Sequence, residues 1–176
     1  GSFEHGFFGA RYGGKINEET PFRVYAKGFT RDNTISPESA NRHDQWHSAR
    51  GGFRLDHTSG IDQFTAQGDI YFNSLGNTLD SNTSRFLHLQ NSAIRGNQEG
   101  GNIRFRWDRV YSERASIMLQ TYYDRNTYQF HSVGKSDAES FDIDFQHRFP
   151  LFNQHDVIWG ANYRLYHNKL FETLLT

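Results

Sequence analysis

The chain has 176 residues, a formal net charge of −1, no cysteine, and aromatic residues at 16 %. The length fits one domain, residues 1–176. The missing cysteines exclude disulfides and cysteine metal sites, and the charge balance argues against nucleic acid, whose binding needs an uncompensated basic face. No run approaches the roughly 20 apolar residues of a membrane-crossing helix, a test that is silent on β-barrels, whose strands show lipid only alternate residues.

Period-2 alternation predicts eight strands. The first covers 6–16, with Phe8, Ala10, Tyr12 and Ile16 opposed to Arg11 and Lys15. A tight turn at 17–20 leads to the second, 21–30, with Phe22, Val24 and Ala26 opposed to Arg23, Tyr25 and Lys27. A polar loop follows at 31–47. The third strand, 48–56, sets Ala49, Phe53 and Leu55 against Arg50, Arg54 and Asp56. A short turn at 57–60 leads to the fourth, 62–73, with Phe64, Ala66, Ile70 and Phe72 on one face. A long Asn- and Ser-rich loop is expected at 74–97.

The fifth strand, 100–108, alternates Ile103, Phe105 and Trp107 with Arg104, Arg106 and Asp108. A short connection at 109–114 precedes the sixth, 115–125, in which Met118 and Tyr122 interrupt the polar side. A loop is expected at 126–137. The last hairpin has the clearest period. Its first arm alternates Phe141, Ile143 and Phe145 with Asp142, Asp144 and Gln146; Pro150, which cannot donate to a ladder, is expected to end it. Its second arm resumes with Val157, Trp159, Ala161, Tyr163 and Leu165. Polar residues after Tyr166 read as the start of another loop.

In an up-and-down meander this layout puts tight turns at one end and long loops at the other. Outer-membrane barrels share that asymmetry. Alternation leaves two arrangements open. A soluble barrel buries Phe64, Ile70 and Phe145 around a lipophilic ligand. A membrane barrel turns them to lipid and lines a wet interior with Arg54, Arg104, Arg106, Asp142 and Asp144. Arginine supplies 15 of the 19 basic residues, which suits fixed interior networks better than a freely solvated surface. Aromatics near strand ends, such as Phe22, Trp107, Tyr123, Phe149 and Phe152, fit interfacial girdles.

Catalytic signatures are missing. No Gly-x-Ser-x-Gly elbow occurs, and the chain is not expected to be an enzyme or to need a cofactor. His43 and His47 are four apart but lack the glutamate of a zinc helix, so no metal site is assigned. His147 and His155 flank the last turn. Asp142 and Asp144 could act as paired acids, but pairing with arginines of neighbouring strands is the simpler expectation. Gly13-Gly14 and Gly51-Gly52 fall inside strands and read as close-approach sites.

Several segments together resemble TonB-dependent outer-membrane receptors of the iron–siderophore type. They are Arg11-Tyr-Gly-Gly-Lys15, Phe22-Arg-Val-Tyr-Ala-Lys27 with Thr30-Arg-Asp32, Gly51-Gly-Phe-Arg-Leu-Asp56, Gln67-Gly-Asp-Ile-Tyr71, Leu119-Gln-Thr-Tyr-Tyr-Asp-Arg125, and Phe141 through Phe149 with His155-Asp-Val-Ile-Trp-Gly160. The resemblance implies an all-β, antiparallel transmembrane barrel of about 22 strands, plugged by an N-terminal domain that engages the TonB complex. This sequence matches about eight strands of it, without the plug or the remaining strands, and Gly1-Ser2 reads as a cloning remnant. The implied location is the bacterial outer membrane, in contact with lipid. The implied function is active uptake of a scarce nutrient such as a ferric siderophore. Loop residues of the ligand-binding type are Arg42, His43, Trp46, Arg85, Phe86 and His88. The alternative function is a small eight-stranded barrel, soluble or in the outer membrane, that holds a lipophilic ligand or serves as an anchor.

Overall fold

The computed structural model describes residues 4–34, 44–78, 93–130, 134–152 and 154–172. Eight strands occupy nearly all of them: β1 (Glu4–Lys15), β2 (Pro21–Arg31), β3 (Trp46–Ser59), β4 (Asp62–Thr78), β5 (Ala93–Ser112), β6 (Ala115–Phe130), β7 (Gly134–Leu151) and β8 (His155–Glu172). They form one sheet in the order β1 to β8, and every neighbouring pair is antiparallel. The fold is an all-β antiparallel meander, as the alternation predicts.

The strands are longer than their alternating cores. β4 and β5 stay paired out to Thr78 and Ala93, well into the expected loop at 74–97. The loop expected at 126–137 is mostly ladder. Thr127 pairs with Asp137, Gln129 with Lys135 and Phe130 with Gly134, leaving only 131–133 between β6 and β7. β8 runs through the polar residues after Tyr166 to Glu172. Pro150 does not end β7 but sits one residue inside it, opposite Asp156. These extensions carry polar residues on both faces, so the two-residue hydrophobic period vanishes there while backbone pairing continues. Of the connections after β2, β4 and β6 at this end of the sheet, only the first two are therefore long.

The opposite end has tight turns, two of them with an identifiable cause. Between β1 and β2, the Asn17 side chain accepts from the Glu19 amide at 3.1 Å, and the Ile16 amide donates to Thr20 O at 2.9 Å. Gly60 and Ile61 close the β3–β4 hairpin, with Gly60 at φ 60° in the first loop position of a type II′ turn. A side chain there is strained although its Cβ would meet nothing within 4 Å. Gly60→Ala should cost about 1–2 kcal/mol of stability in urea unfolding, from the left-handed backbone alone.

Register sorts the side chains into two faces. One row of the apolar face runs Tyr12, Val24, Phe53 across β1 to β3, and further along come Ile103 with Tyr123, Phe105 with Thr121 and Trp107 with Leu119. Phe141, Phe145 and Trp159 continue it on β7 and β8. On β4 this face runs from Phe64 to Phe72, eight residue steps or roughly 27 Å of strand. Tilted by about 40°, that gives roughly 20 Å, close to the height of a lipid-facing band.

Burial is inverted relative to a water-soluble core. Ile70 is 59 % exposed, Phe72 56 % and Phe105 43 %, whereas Asp142 on the other face is 8 % exposed. Among the described residues no large side chain is fully buried. Phe64, Ile70, Phe105 and Phe145 share a face but do not gather into a sealed centre.

Candidate ligand-binding face

The polar face holds a network of fixed charges. Arg54 grips Asp56 through Nε and Nη2, both at 2.8 Å, and Thr65 Oγ1 donates to the same carboxylate at 2.7 Å. Arg106 grips Asp108 in the same way, both bonds at 2.7 Å. In both pairs the partners are two apart on one strand, so they project side by side from one face. Such planar two-point contacts suit guanidinium and hold the charges in place. Between strands, Arg50 meets Asp69 at 2.6 Å and Arg164 meets Asp142 at 2.8 Å. Asn162 adds a bond to Asp142 at 3.2 Å. Asp142 is thus an ion-pair partner, as expected, and not half of an acid pair with Asp144.

Nearer the long-loop end, uncharged groups form a ladder across four strands. Ser48 Oγ donates to Asn73 Oδ1 at 2.7 Å, Asn73 Nδ2 to Gln98 Oε1 at 3.1 Å, and Gln98 Nε2 to Asn126 Oδ1 at 3.4 Å. Asn73 and Gln98 each use both a donor and an acceptor, which fixes the side chains in line. Phe7, Phe29, Lys27, Arg50 and Tyr71 flank this ladder around a depression of about 460 Å³.

Of the six loop residues with ligand-binding character, Arg42, His43, Arg85, Phe86 and His88 lie outside the described residues. Trp46 is described, and it belongs to β3, not to a loop. It pairs with Arg31 on β2, its ring stands edge-on to Phe29 at 4.9 Å, and the Arg31 guanidinium lies 4.7 Å from the Phe29 ring centroid and 5.5 Å from that of Trp46. The Trp46 indole N–H is covered and has no hydrogen-bond partner. The cluster is a cation sandwiched by aromatics at the foot of the β2–β3 connection. In that connection the Asn33 amide and His5 hold the Asp32 carboxyl below its usual pKa.

Histidines are dispersed. His57 Nδ1 bonds Thr20 Oγ1 at 2.8 Å, and Trp159 Nε1 donates to His147 Nδ1 at 3.3 Å. No group of three metal-ligating side chains occurs among the described residues. Of the aromatics expected near strand ends, Phe22, Phe149 and Phe152 lie there, whereas Trp107 is five residues inside β5 and Tyr123 is in the middle of β6. Trp107 Nε1 donates to Asp62 at 2.8 Å, Arg109 bonds the same carboxylate at 2.7 Å, and Arg109 lies 5.7 Å from the Trp107 ring centroid. Tyr123 faces Phe141 at the other border of the apolar band. Phe152, 86 % exposed, sits in the β7–β8 turn.

Sequence reasoning missed the two matched ion pairs and the amide ladder. The first had a visible signal, the repeated Arg-x-Asp of Arg54-Leu-Asp56 and Arg106-Trp-Asp108. The ladder had none, because its members come from four strands and meet only through register. Gly52 does mark a close approach, since a Cβ there would lie 2.8 Å from Gly68 O and 2.7 Å from the Tyr25 ring. Comparison with protein-family models, with curated proteins and with solved structures finds no match.

Proposed function

We propose that this chain is a segment of an outer-membrane β-barrel receptor of the TonB-dependent kind, taking up a scarce nutrient such as a ferric siderophore. One observation carries the membrane part of this reading: on one face carboxylates such as Asp69 and Asp142 are covered and paired with arginines, while large apolar side chains on the other are open. Leaving that much apolar surface in water is unfavourable at about 25 cal/mol per Å², and lipid removes the penalty. The strand ends support it through the Trp107, Arg109 and Asp62 cluster, whose ring faces the apolar side while its polar groups hydrogen-bond at the border. The receptor part rests on the resemblance of the strand segments. Its mechanism is binding and gated passage along the polar face, driven through a plug and the TonB complex, with no bond chemistry.

The three tryptophans test the orientation. Trp107 and Trp159 lie on the apolar face and Trp46 on the polar one. In vesicles of lipids brominated on the acyl chain, single-tryptophan variants retaining Trp107 or Trp159 should lose most of their fluorescence. The variant retaining Trp46 should lose little. Equal quenching of all three, or quenching of Trp46 alone, would sink the membrane reading. Growth under iron limitation after deletion of the full-length gene tests the cargo; unchanged uptake of every iron chelate counts against iron.

A further inference from the structure

Charge is unevenly spread along the polar face. Arg23 and Lys27 on β2 stand directly opposite Arg54 and Arg50 on β3. Asp124, Asp142, Asp144 and Asp156 sit on this face of β6 to β8, reached through the same register. Like charges directly opposite in a sheet are destabilising. Asp56 and Asp69 relieve Arg54 and Arg50. Arg11, Arg23 and Lys27 make no direct ion-pair contact among the described residues, although the Asp56 carboxylate that Arg54 grips also attracts Arg23.

These three cations surround one depression. It has a volume of about 430 Å³ and is lined on the polar side by Gly9, Arg11, Arg23, Tyr25 and Lys27. Gly9 pairs with Lys27, Arg11 with Tyr25 and Gly13 with Arg23, so glycines on β1 leave the floor beside each β2 cation bare. A Cβ at Gly9 would meet only the Lys27 Cβ, at 4.0 Å. The space is open, and no carboxylate lines it.

We infer that this trough binds a small multivalent oxyanion, a molecule carrying two or more carboxylate or phosphate groups. Cross-strand spacing near 4.8 Å and two-residue steps near 6.8 Å set the anionic groups roughly 5–10 Å apart. Arg11 and Arg23 supply planar two-point contacts, Lys27 a point charge, and Tyr25 a hydroxyl donor. Bound anion offsets the cross-strand repulsion that Asp56 and Asp69 relieve only in part. Binding rests on the trough alone; a role for the anion as cargo rests on the transport reading above.

The test is calorimetric titration of the full chain in detergent micelles, at fixed ionic strength, with citrate and with inorganic tripolyphosphate. Saturable binding of either probe is expected, and which one binds identifies carboxylate or phosphate as the ligand chemistry. R11Q and R23Q should each weaken it about tenfold, the loss of one charged hydrogen-bonding partner. R23K should recover part of the loss. K169Q removes a cation from the other face of β8 and should leave affinity unchanged. Circular dichroism confirms that each variant keeps its β-sheet signal. Absence of saturable binding by the unaltered chain overturns the inference, as does an equal loss in K169Q. Binding with failed tryptophan quenching sinks the membrane reading and leaves the trough standing.

Discussion

In the proposed membrane orientation, Phe145→Arg should lower the stability of the bilayer-inserted chain by about 2–4 kcal/mol, the cost of a guanidinium near mid-depth on a lipid-facing strand. Phe145 lies midway between Phe141 and Phe149, the borders of the apolar run on β7. Its ring also stands edge-on to Trp159 at 5.3 Å, an interaction worth about 0.5–1.5 kcal/mol beyond area burial. The expected result therefore lies toward the upper end of that range. Gln146→Arg, one residue along and on the opposite face, should stay within about 0.5 kcal/mol. Urea unfolding from lipid vesicles measures both. Equal costs at the two positions, or a larger one at Gln146, would mean that the faces are assigned the wrong way round.

A second large effect is expected at Gly68. It is buried in the middle of β4, between Phe53 on β3 and Ile103 on β5. A Cβ there would stand 2.5 Å from the Asn102 carbonyl oxygen and 3.3 Å from the Phe53 ring. A ring turns aside at little cost, but a ladder carbonyl in the centre of an eight-stranded sheet does not. Gly68→Val should cost about 1–3 kcal/mol through forced separation of β4 and β5. Gly51→Ala is the matched comparison, because its Cβ would meet the Tyr25 carbonyl oxygen at 3.5 Å, an ordinary contact. That substitution should be neutral or stabilising by up to about 1 kcal/mol, since alanine narrows the unfolded ensemble. Similar losses at both sites would show that strand spacing is softer than the carbonyl contact at Gly68 implies.

The sheet was legible wherever one face was dry. From Phe141 to Leu165 the alternation marks both arms of a hairpin and their partnering, and Phe145 does lie opposite Ala161. It fell silent where both faces are polar. Gly134-Lys-Ser-Asp-Ala-Glu-Ser140 looks like a loop because no residue in it needs shelter, yet it pairs with β6 residue by residue. Pro150 misled for a related reason: a missing donor is tolerated one residue from a strand end, at the margin of the ladder.

The polar face was legible in kind but not in place. Arginines and aspartates at alternate positions announced a charged surface, and Arg164 with Asp142 answers that expectation. The aromatic and basic loop residues drew attention to the far end, where only Trp46 is described, and there it is a strand residue stacked with Arg31. The trough over β1 and β2 escaped notice because its defining feature is an imbalance between rows. It emerges only when register sets Arg23 against Arg54 and Lys27 against Arg50.

An even number of strands gives the sheet two margins that run in opposite directions. β1 pairs only with β2 and β8 only with β7, so along each outer margin the main-chain amides and carbonyls have no strand beside them among the described residues. In hydrocarbon every such group costs several kcal/mol, a total that no side-chain contact described above could offset. Immersion in lipid therefore requires that both seams be zipped. Antiparallel sense makes β8 a correct neighbour for β1, whether that β1 is its own or a duplicate's, and equally for a further strand of either direction's complement. In the proposed barrel, whatever zips them also decides how wide a passage the polar face surrounds.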